Sequence, residues 1–507
     1  MTKMLAFTSI VVALILTACT DRPSEVLVRP PDALRAVTVD PDVLIVGDPC
    51  EMVVWSPDAR RAAVIMPDGG LSLSDESGKL TPVLSDETDV GIAAWMADSK
   101  RLVVVTGRES KTWKEVAALL DSDRQQEIIA LAKKVPPDAA TDEDVENTFE
   151  SVDSPIDVRD DLDLILLYLC DHGGETLRTH LRENIGRFSQ TISTIALCDT
   201  AASPANVEVI AEMLGYVESL RISPLGTAVG FTNGSLQVVA AKPKSRPEIV
   251  SYGAAADFDW TPDGKWLVYT TPMSPMASGL QLGEVVRKTV CDDAGNVLSE
   301  SAGEWVWHQY ETIAVVAFTM GFSYFIESPV RVRCLRDGGI LFSALDLRLP
   351  CTNWDMPDAV SLFTINPDKQ AMVAPAFARR TYAELADTGQ LEFFQLSPDQ
   401  ERIAVVGPYG EVSVVTLATG EVEVLQPVKL QSPARMLPAW RSNDELCFVS
   451  RINDDSPSAA KEYKDKTFEE KWEMEVDPEK KWVIVLWSLS KQTGRVLNET
   501  WFKEDSK

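Results

Sequence analysis

The stretch WSPDARRAAVIM (55–66) decides how this chain folds. It returns as WTPDG (260–264) before KWLVYT, and as LSPD (396–399) before QERIAVVG. Pro and Asp favour a tight turn, and the β-branched run after them favours a strand that pairs back on the one before. Each copy therefore predicts a β-hairpin whose turn lies at the Pro-Asp pair.

Weaker copies of the same pattern extend it along the chain. They are WMAD (95–98), ISPLG (222–226), CLRDG (334–338) and WRSN (440–443). Three pairs of successive copies are separated by roughly the 40–45 residues that one four-stranded propeller blade needs. The longer separations each require an insertion or a further blade. The pattern predicts seven blades, and six or eight stay open because 275–330 does not divide clearly into strands.

These repeats resemble the PD40 or TolB-like branch of the WD40 β-propellers, whose signature W-S-P-D-G-[KR] precedes a strand. The resemblance covers roughly 50–507. It implies an all-β fold, a seven-bladed β-propeller over 43–507, with a small α-helical insertion in the second blade. A resemblance of fold does not by itself assign a function.

The separation between the second and third copies contains helical signals. After the strand-like RLVVVTG (101–107), the pattern TWKE (112–115) suits a helix N-terminus with a capping box. A second helix is predicted through ETLRTHLREN (175–184), and strands resume at 191. Between the helices, 138–163 is so acidic that we expect a solvated or disordered tract. The sequence predicts a helical and acidic insertion at 108–188, between the second and third strands of its blade.

The N-terminus carries a targeting signal. Lys3 precedes an apolar run that ends in LTAC (16–19), which is typical of a signal peptide over 1–18 and too short to favour a membrane span. LTAC resembles the lipobox of bacterial lipoproteins, which implies that Cys19 is lipidated and that 19–42 is a lipidated linker. The alternative is an ordinary signal peptide whose cleavage site carries a cysteine. Thr20 is not the aspartate that retains lipoproteins at the inner membrane. We therefore expect an extracytoplasmic protein that is lipid-anchored to a bacterial membrane, on the periplasmic face of the outer membrane if the cell is Gram-negative.

Charge limits the partners. Lys and Arg number 48 against 77 Asp and Glu, a net charge of −29. Such a surface repels phosphate backbones, so we exclude nucleic acid as a ligand. The chain has only His172, His180 and His308, few for metal or acid–base chemistry.

Two sets of repeated residues have a structural interpretation. Aspartates at a Pro-Asp turn usually cap their own backbone, and tryptophans at the ends of blade strands usually pack between blades. The aspartates are Asp58, Asp263 and Asp399, and the tryptophans are Trp55, Trp95, Trp260 and Trp440.

The sequence predicts neither a transition-metal site nor a calcium site. His172 and His180 lie near Cys170, but on one helix they would stand about 12 Å apart, too far to share an ion unless the chain bends at Gly173-Gly174. The acidic residues between Asp142 and Asp163 lack the spacing of a calcium-binding loop. No metal or cofactor is predicted.

Seven cysteines remain besides Cys19, and no two of them form a CxxC pair. They are Cys50, Cys170, Cys198, Cys291, Cys334, Cys351 and Cys447. An odd number leaves at least one thiol unpaired or intermolecular, and the pairing stays open. We expect Cys291, Cys334 and Cys447 to be buried as small apolar residues.

The sequence contains no catalytic motif. The nearest approach to a serine-hydrolase elbow, GFSYF (321–325), lacks the second glycine. The aromatic stretch 304–325 is interpreted as core strands, or as an exposed patch that binds a partner. We predict a noncatalytic platform that binds a protein, or a glycan, in the bacterial envelope, with no catalytic residue and with binding residues that the sequence does not identify. The competing prediction is a carbohydrate-active or other hydrolase or lyase at the central mouth of the propeller.

Overall fold

The computed structural model describes most of the propeller. The described residues are 50, 52–85, 88–150, 161–201, 205–251, 257–264, 266–275, 280–289, 310–319, 331–345, 360–369, 373–377, 394–406, 412–426, 438–451 and 482–497. The signal peptide, the linker with Cys19, the highly charged segment 453–480, Cys291, Cys351 and His308 lie outside them. No helix in these ranges is long and apolar enough to span a membrane.

Seven antiparallel sheets, each built from four consecutive strands, form the fold. Blades 1 to 3 contain β1 (Met52–Trp55), β2 (Ala62–Ile65), β3 (Leu71–Ser74), β4 (Leu80–Leu84); β5 (Val90–Trp95), β6 (Arg101–Ser110), β7 (Gln190–Asp199), β8 (Asn206–Leu214); and β9 (Ser219–Ile222), β10 (Ala228–Thr232), β11 (Leu236–Ala240), β12 (Glu248–Ser251). Blades 4 and 5 contain β13 (Phe258–Trp260), β14 (Trp266–Pro275), β15 (Leu280–Thr289), β16 (Tyr310–Thr319); and β17 (Val332–Cys334), β18 (Ile340–Leu345), β19 (Val360–Ile365), β20 (Ala374–Pro375). Blades 6 and 7 contain β21 (Phe394–Leu396), β22 (Arg402–Val406), β23 (Val412–Thr416), β24 (Val422–Gln426); and β25 (Ala439–Trp440), β26 (Glu445–Arg451), β27 (Trp482–Ser488), β28 (Thr493–Val496).

The blades close into a ring. A buried apolar cluster joins each blade to the next, and a further cluster joins blade 7 to blade 1. First strands of several neighbouring blades contact one another, which places these strands nearest the axis. The predicted seven-bladed propeller is confirmed. The stretch 275–330, which the sequence did not divide, supplies the two outer strands of blade 4 and the end of β14.

The signature turns are built by side-chain capping. The Ser56 hydroxyl donates to the Asp58 carboxylate at 2.6 Å and accepts from the Arg61 backbone N–H at 3.1 Å. Thr261 and Asp263 repeat the first contact at 2.7 Å. The Ser56 hydrogen bond lowers the pKa of Asp58, because it favours the charged carboxylate. These aspartates therefore cap turns, as the sequence predicted.

Tryptophans at the ends of first strands join neighbouring blades by hydrogen bonds as well as by packing. The indole N–H of Trp95 donates to the Val54 carbonyl of blade 1 at 2.8 Å. Trp260 reaches the carbonyl of Arg221 at 3.3 Å, and Trp440 that of Gln395 at 3.0 Å. In each case the acceptor stands immediately before the signature of the preceding blade.

The residue after the signature aspartate, or its equivalent, takes the left-handed conformation in six of the seven turns. Glycine occupies three of these positions, at Gly226, Gly264 and Gly338. Ala59, Ser99 and Gln400 occupy the other three, with φ of 60°, 55° and 61°. Residues with a Cβ are strained there, whereas glycine is not.

Exchanging the residue types at this position should change stability in opposite directions. Gly264→Ala is expected to destabilise the fold by about 1 kcal/mol, since a Cβ there makes only ordinary contact, 3.7 Å from Leu225, and the cost is backbone strain. Ala59→Gly is expected to stabilise it by up to about 1 kcal/mol. Urea denaturation measures both, and a shift in the same direction for the two variants would contradict this account of the turn.

The insertion lies between the second and third strands of blade 2, as predicted. β6 and β7 pair over ten residues, from Arg101 with Asp199 to Ser110 with Gln190, so the insertion begins at 111 and ends at 189. Its helices are α1 (Trp113–Ala117), α2 (Ser122–Ala132), α3 (Asp142–Glu150), α4 (Leu162–His172) and α5 (Glu175–Glu183), followed by the 3-10 turn Ile185–Arg187.

The acidic tract, expected to be solvated or disordered, is ordered in part. It contains the helix α3, on which Glu143, Asp144 and Glu146 are exposed to solvent. Thr141 accepts from the Asp144 backbone N–H at 3.2 Å, and the Asp144 carboxylate accepts from the N–H of Thr141 at 2.9 Å. This reciprocal cap starts the helix, and Val145 is buried in the core of the insertion. Capping and one apolar anchor thus outweigh the repulsion among the acidic side chains.

Candidate functional site

The two faces of the ring carry different kinds of connection. In a four-stranded antiparallel blade, the turns between the first and second strands lie on one face, here named the turn face. The connections between the second and third strands, and those to the next blade, lie on the opposite face, the loop face. The seven signature turns lie on the turn face, whereas the insertion 111–189 lies on the loop face. Binding residues concentrate on such loops when a rigid scaffold positions them.

The insertion has its own core and is held to blade 2. Its buried cluster includes Ile128, Ile165 and Leu181, and Leu214 at the end of β8 packs against it. At its base, Glu115 of α1 accepts from the Ser110 hydroxyl at 2.8 Å and pairs with Arg108 at 3.1 Å. These two hydrogen bonds lower the pKa of Glu115. The helices therefore extend from the sheet as a fixed unit.

An open cavity of about 550 Å³ lies on the surface of the insertion. It is lined by Ala140, Thr141, Glu175, Thr176, Thr179, His180 and Glu183. Most of the lining comes from one face of α5, because residues four apart on a helix share a face. This lining, here named the α5 groove, presents hydroxyls, carboxylates and one imidazole.

His180, which lines the α5 groove, contacts Asp142 of α3. The imidazole Nε2 lies 2.8 Å from one Asp142 oxygen, and Arg187 lies 3.1 Å from the other. The hydrogen bond from His180 lowers the pKa of Asp142. The pair ties α5 to the first turn of α3 and fixes one wall of the groove.

His172 and His180 are not arranged as ligands of one metal ion. The chain bends at Gly173-Gly174, so the two histidines lie on different helices. His172 stacks on Tyr168 with 4.2 Å between ring centroids, and its Nδ1 lies 3.0 Å from the Tyr168 carbonyl. Within the described residues, no group of three His, Cys, Asp or Glu side chains could hold a metal ion.

The described cysteines are buried. Cys170, Cys198, Cys334 and Cys447 are free thiols. Burial raises the pKa of Cys170 and of Cys198 to about 11, and that of Cys447 to about 12. These thiols are therefore protonated and unreactive at neutral pH, which is typical of structural cysteines. The prediction that Cys334 and Cys447 are buried is confirmed.

A buried charge cluster on the first strands of blades 3, 4 and 5 was missed by the sequence analysis. Asp257, just before β13, accepts from Arg333 at 2.5 Å and from the Val332 backbone N–H at 3.0 Å. Its other oxygen lies 3.4 Å from Arg221, whose Nε donates to the Phe258 carbonyl.

Asp259 completes this cluster. Its carboxylate accepts from the Cys334 backbone N–H at 2.9 Å and from the Trp260 backbone N–H at 3.0 Å. Arg221, Asp259 and Arg333 each stand immediately before a signature, where blades 1, 2 and 7 have Val54, Ala94 and Ala439. Charged residues thus replace apolar ones at the position before the signature. This replacement is the signal in the sequence that could have revealed the cluster.

Mutual neutralisation is what keeps the cluster buried. Burial alone would raise the pKa of Asp257, but Arg333 and Arg221 hold it well below its usual range. Burial raises the pKa of Asp259 by more than the charges of Arg221 and Arg333 lower it. Both oxygens of each carboxylate accept hydrogen bonds or ion pairs from the protein. The cluster therefore clamps three blades together near the axis.

Removing the Asp257 charge should destabilise the protein strongly. Asp257→Asn leaves Arg333 buried without its charge partner, and the expected loss is about 3–5 kcal/mol in urea denaturation. Asp58→Asn, which changes an exposed turn-capping carboxylate, is the control and should cost about 1 kcal/mol. A loss no larger than that of the control would contradict the clamp.

The pH dependence of that loss has a definite sign. Because the folded pKa of Asp257 lies below its unfolded value of about 3.9, its stabilisation is complete above that value and is lost as the pH falls toward the folded pKa. The stability difference between the native protein and Asp257→Asn should therefore be constant near neutral pH and shrink below about pH 4.

The sequence matches no protein-family model. It is similar to no curated protein. The structure is similar to the β-propeller domain of Cps50 (Swd1) from Myceliophteria thermophila, with 10% identity, a TM-score of 0.41, and coverage of 80% of this chain and 95% of that one. It is also similar to an oligogalacturonate lyase in complex with manganese, with 12% identity, a TM-score of 0.39, and coverage of 74% and 76%. A protein assigned as TolB from Agrobacterium tumefaciens has 12% identity, a TM-score of 0.30, and coverage of 58% and 84%. Likenesses at this level carry no argument about function.

Proposed function

We propose that this protein is a lipid-anchored, extracytoplasmic β-propeller lipoprotein that acts as a noncatalytic platform for a protein partner in the bacterial envelope. The observation that carries the proposal is the placement of the helical insertion on the loop face, joined to blade 2 by ten-residue strands. A ring of seven packed blades is rigid, and a rigid scaffold that presents one elaborated face is suited to binding.

The insertion offers chemistry for recognition. Glu175 and Glu183 line the α5 groove and form no ion pair with any described residue. Two cations near the groove are engaged elsewhere, Arg187 with Asp142 and Arg182 with Asp171. Tyr216, 72% exposed, lies on the same face in the connection from β8 to β9. A partner with basic and apolar side chains complements these groups.

Deleting the insertion should abolish partner capture and leave the propeller folded. Because Ser110 pairs with Gln190, replacing 111–189 with Asn-Gly closes the ribbon as a two-residue hairpin. In a pulldown from envelope extracts, the intact chain is expected to capture a partner that the deleted chain does not. Equal capture by both chains would move the binding site to the propeller itself.

Charge variants are the finer control for that experiment. Glu175→Gln with Glu183→Gln removes two charges from the α5 groove and should weaken capture by about tenfold if each contact is worth roughly 0.7 kcal/mol. Glu401→Gln with Glu421→Gln removes the same charge from the turn face. Weakening by the second pair alone would place the contact on the opposite face.

A variant of Cys19 tests the proposed lipid anchor. Replacing Cys19 with Ala removes the only residue that the lipobox resemblance assigns to lipidation. The variant is expected to lose palmitate labelling and to leave the membrane fraction, because the proposal makes the lipid on Cys19 the hydrophobic anchor. Continued labelling of the variant would show that another residue carries the lipid, or that the signal is of another type.

A hydrolase or lyase at the central mouth is the second candidate. The observation that favours it is the convergence of Asp257, Asp259, Arg221 and Arg333 on the first strands. Their oxygens and guanidinium groups are engaged with one another, which favours the platform. Turnover of a glycan that Asp259→Asn abolishes while the variant keeps its melting temperature would establish the enzyme instead.

A further inference from the structure

The interface between blade 7 and blade 1, here named the seam, differs from the other six in how the chain connects its two blades. At the other interfaces, the fourth strand of one blade leads along the chain into the first strand of the next. Blade 7 ends with β28 and blade 1 begins with β1, and no strand is shared between these sheets in the described part of the chain. Closure of the ring at the seam therefore depends on noncovalent contacts.

The tryptophan at the seam lacks the hydrogen bond that its counterparts make. Trp95, Trp260 and Trp440 each donate to a carbonyl of the preceding blade. The indole nitrogen of Trp55 is buried and has no oxygen acceptor among the described residues. The group of blade 7 that it meets is the Cys447 thiol, a weak acceptor.

Arginines of blade 7 make polar contacts across the seam, which include an ion pair of Arg441 with the Glu76 carboxylate at 3.8 Å and two hydrogen bonds to carbonyls. Arg441 donates from Nε to the Ala59 carbonyl at 2.9 Å, and its guanidinium lies over the Trp55 ring, 5.1 Å from the centroid. Arg495 donates to the Glu76 carbonyl at 2.7 Å. Both acceptors are backbone carbonyls in turns of blade 1. Hydrogen bonds of this kind can break and reform without unfolding either blade.

Close packing completes the seam. Gly78 of blade 1, with φ +86°, lies against Leu497, the residue after β28. A Cβ built on Gly78 would stand 2.4 Å from the Leu497 carbonyl oxygen, a distance that side chains do not adopt. Any side chain here must push the two blades apart. Gly234 also has a positive φ, of +61°, but a Cβ there meets nothing within 4 Å.

We propose that the ring opens reversibly at the seam while the seven blades stay folded. The contacts of Arg441 with Ala59 and Trp55 hold the ring closed. Among the described strands, the seam is the one interface whose two blades are not joined by a connecting segment. The blades can therefore separate there without stretching such a segment. The seam also has the weakest tryptophan hydrogen bond of those compared above. Opening would expose the facing sides of the two sheets, including the buried side chains of Trp55, Cys447 and Leu497.

Thiol labelling of the full-length reduced chain tests the proposal. Cys447 lies in the seam cluster and Cys198 in the cluster between blades 1 and 2, and both are fully buried. With N-ethylmaleimide and peptide-resolved mass spectrometry, Cys447 is expected to react at least about tenfold faster than Cys198 in the native protein. Low urea should accelerate Cys198, which needs global unfolding, more steeply than Cys447.

Three variants sharpen the test. Gly78→Ala should accelerate Cys447 by a further factor of about ten and leave Cys198 unchanged, and Arg441→Met should act in the same direction. Gly234→Ala imposes left-handed strain with no steric neighbour and should leave the ratio of the two rates unchanged. Equal rates for Cys447 and Cys198 with equal urea dependence in the native protein, or parallel acceleration of both thiols in Arg441→Met, would overturn the proposal.

Discussion

The fold depends on the contact that each blade makes with the next at the end of its first strand. In blades 2, 4 and 7 an indole packs there against the preceding blade, and its N–H reaches the backbone carbonyl one residue before the signature of that blade. An arginine over the ring adds to this contact at Trp95, where Arg61 lies 5.3 Å from the centroid. A lone four-stranded sheet would leave both faces in water, so it is this repeated contact that makes each blade stable.

The same contact explains why the loop face can vary. Because the blades are fixed at the first strands, a connection between the second and third strands can lengthen without disturbing the interfaces. Blade 2 shows the result, since ten-residue strands extend past the sheet and carry five helices with a core of their own. The turn face, held to tight turns by Ser, Thr and Asp caps, does not have this freedom.

Blades 3, 4 and 5 meet the same packing requirement in a different way. Where blades 1, 2 and 7 place Val or Ala before the signature, these place Arg221, Asp259 and Arg333, and Asp257 joins them. Buried charges of opposite sign hold the strands in one arrangement, at the cost of removing each ion from water. The proposed platform thus has an ionic clamp on one side of its axis, an elaborated face on blade 2, and a seam between blades 7 and 1.

The sequence by itself determined the local structure. Turn chemistry at Pro-Asp, the β-branched runs after it and the spacing of the copies predicted seven blades, and the capping box with helical spacing placed the insertion in the second. What tertiary structure decided are the relations between distant residues: the Trp95 bond to Val54, the meeting of Asp257 with Arg333, and the His180 contact with Asp142. Helix α3 belongs with these, because its acidic sequence disfavours order until Val145 has a core to enter. Short-range chemistry can be read from neighbours along the chain, whereas a buried ion pair or a groove exists only once the ring brings remote strands together.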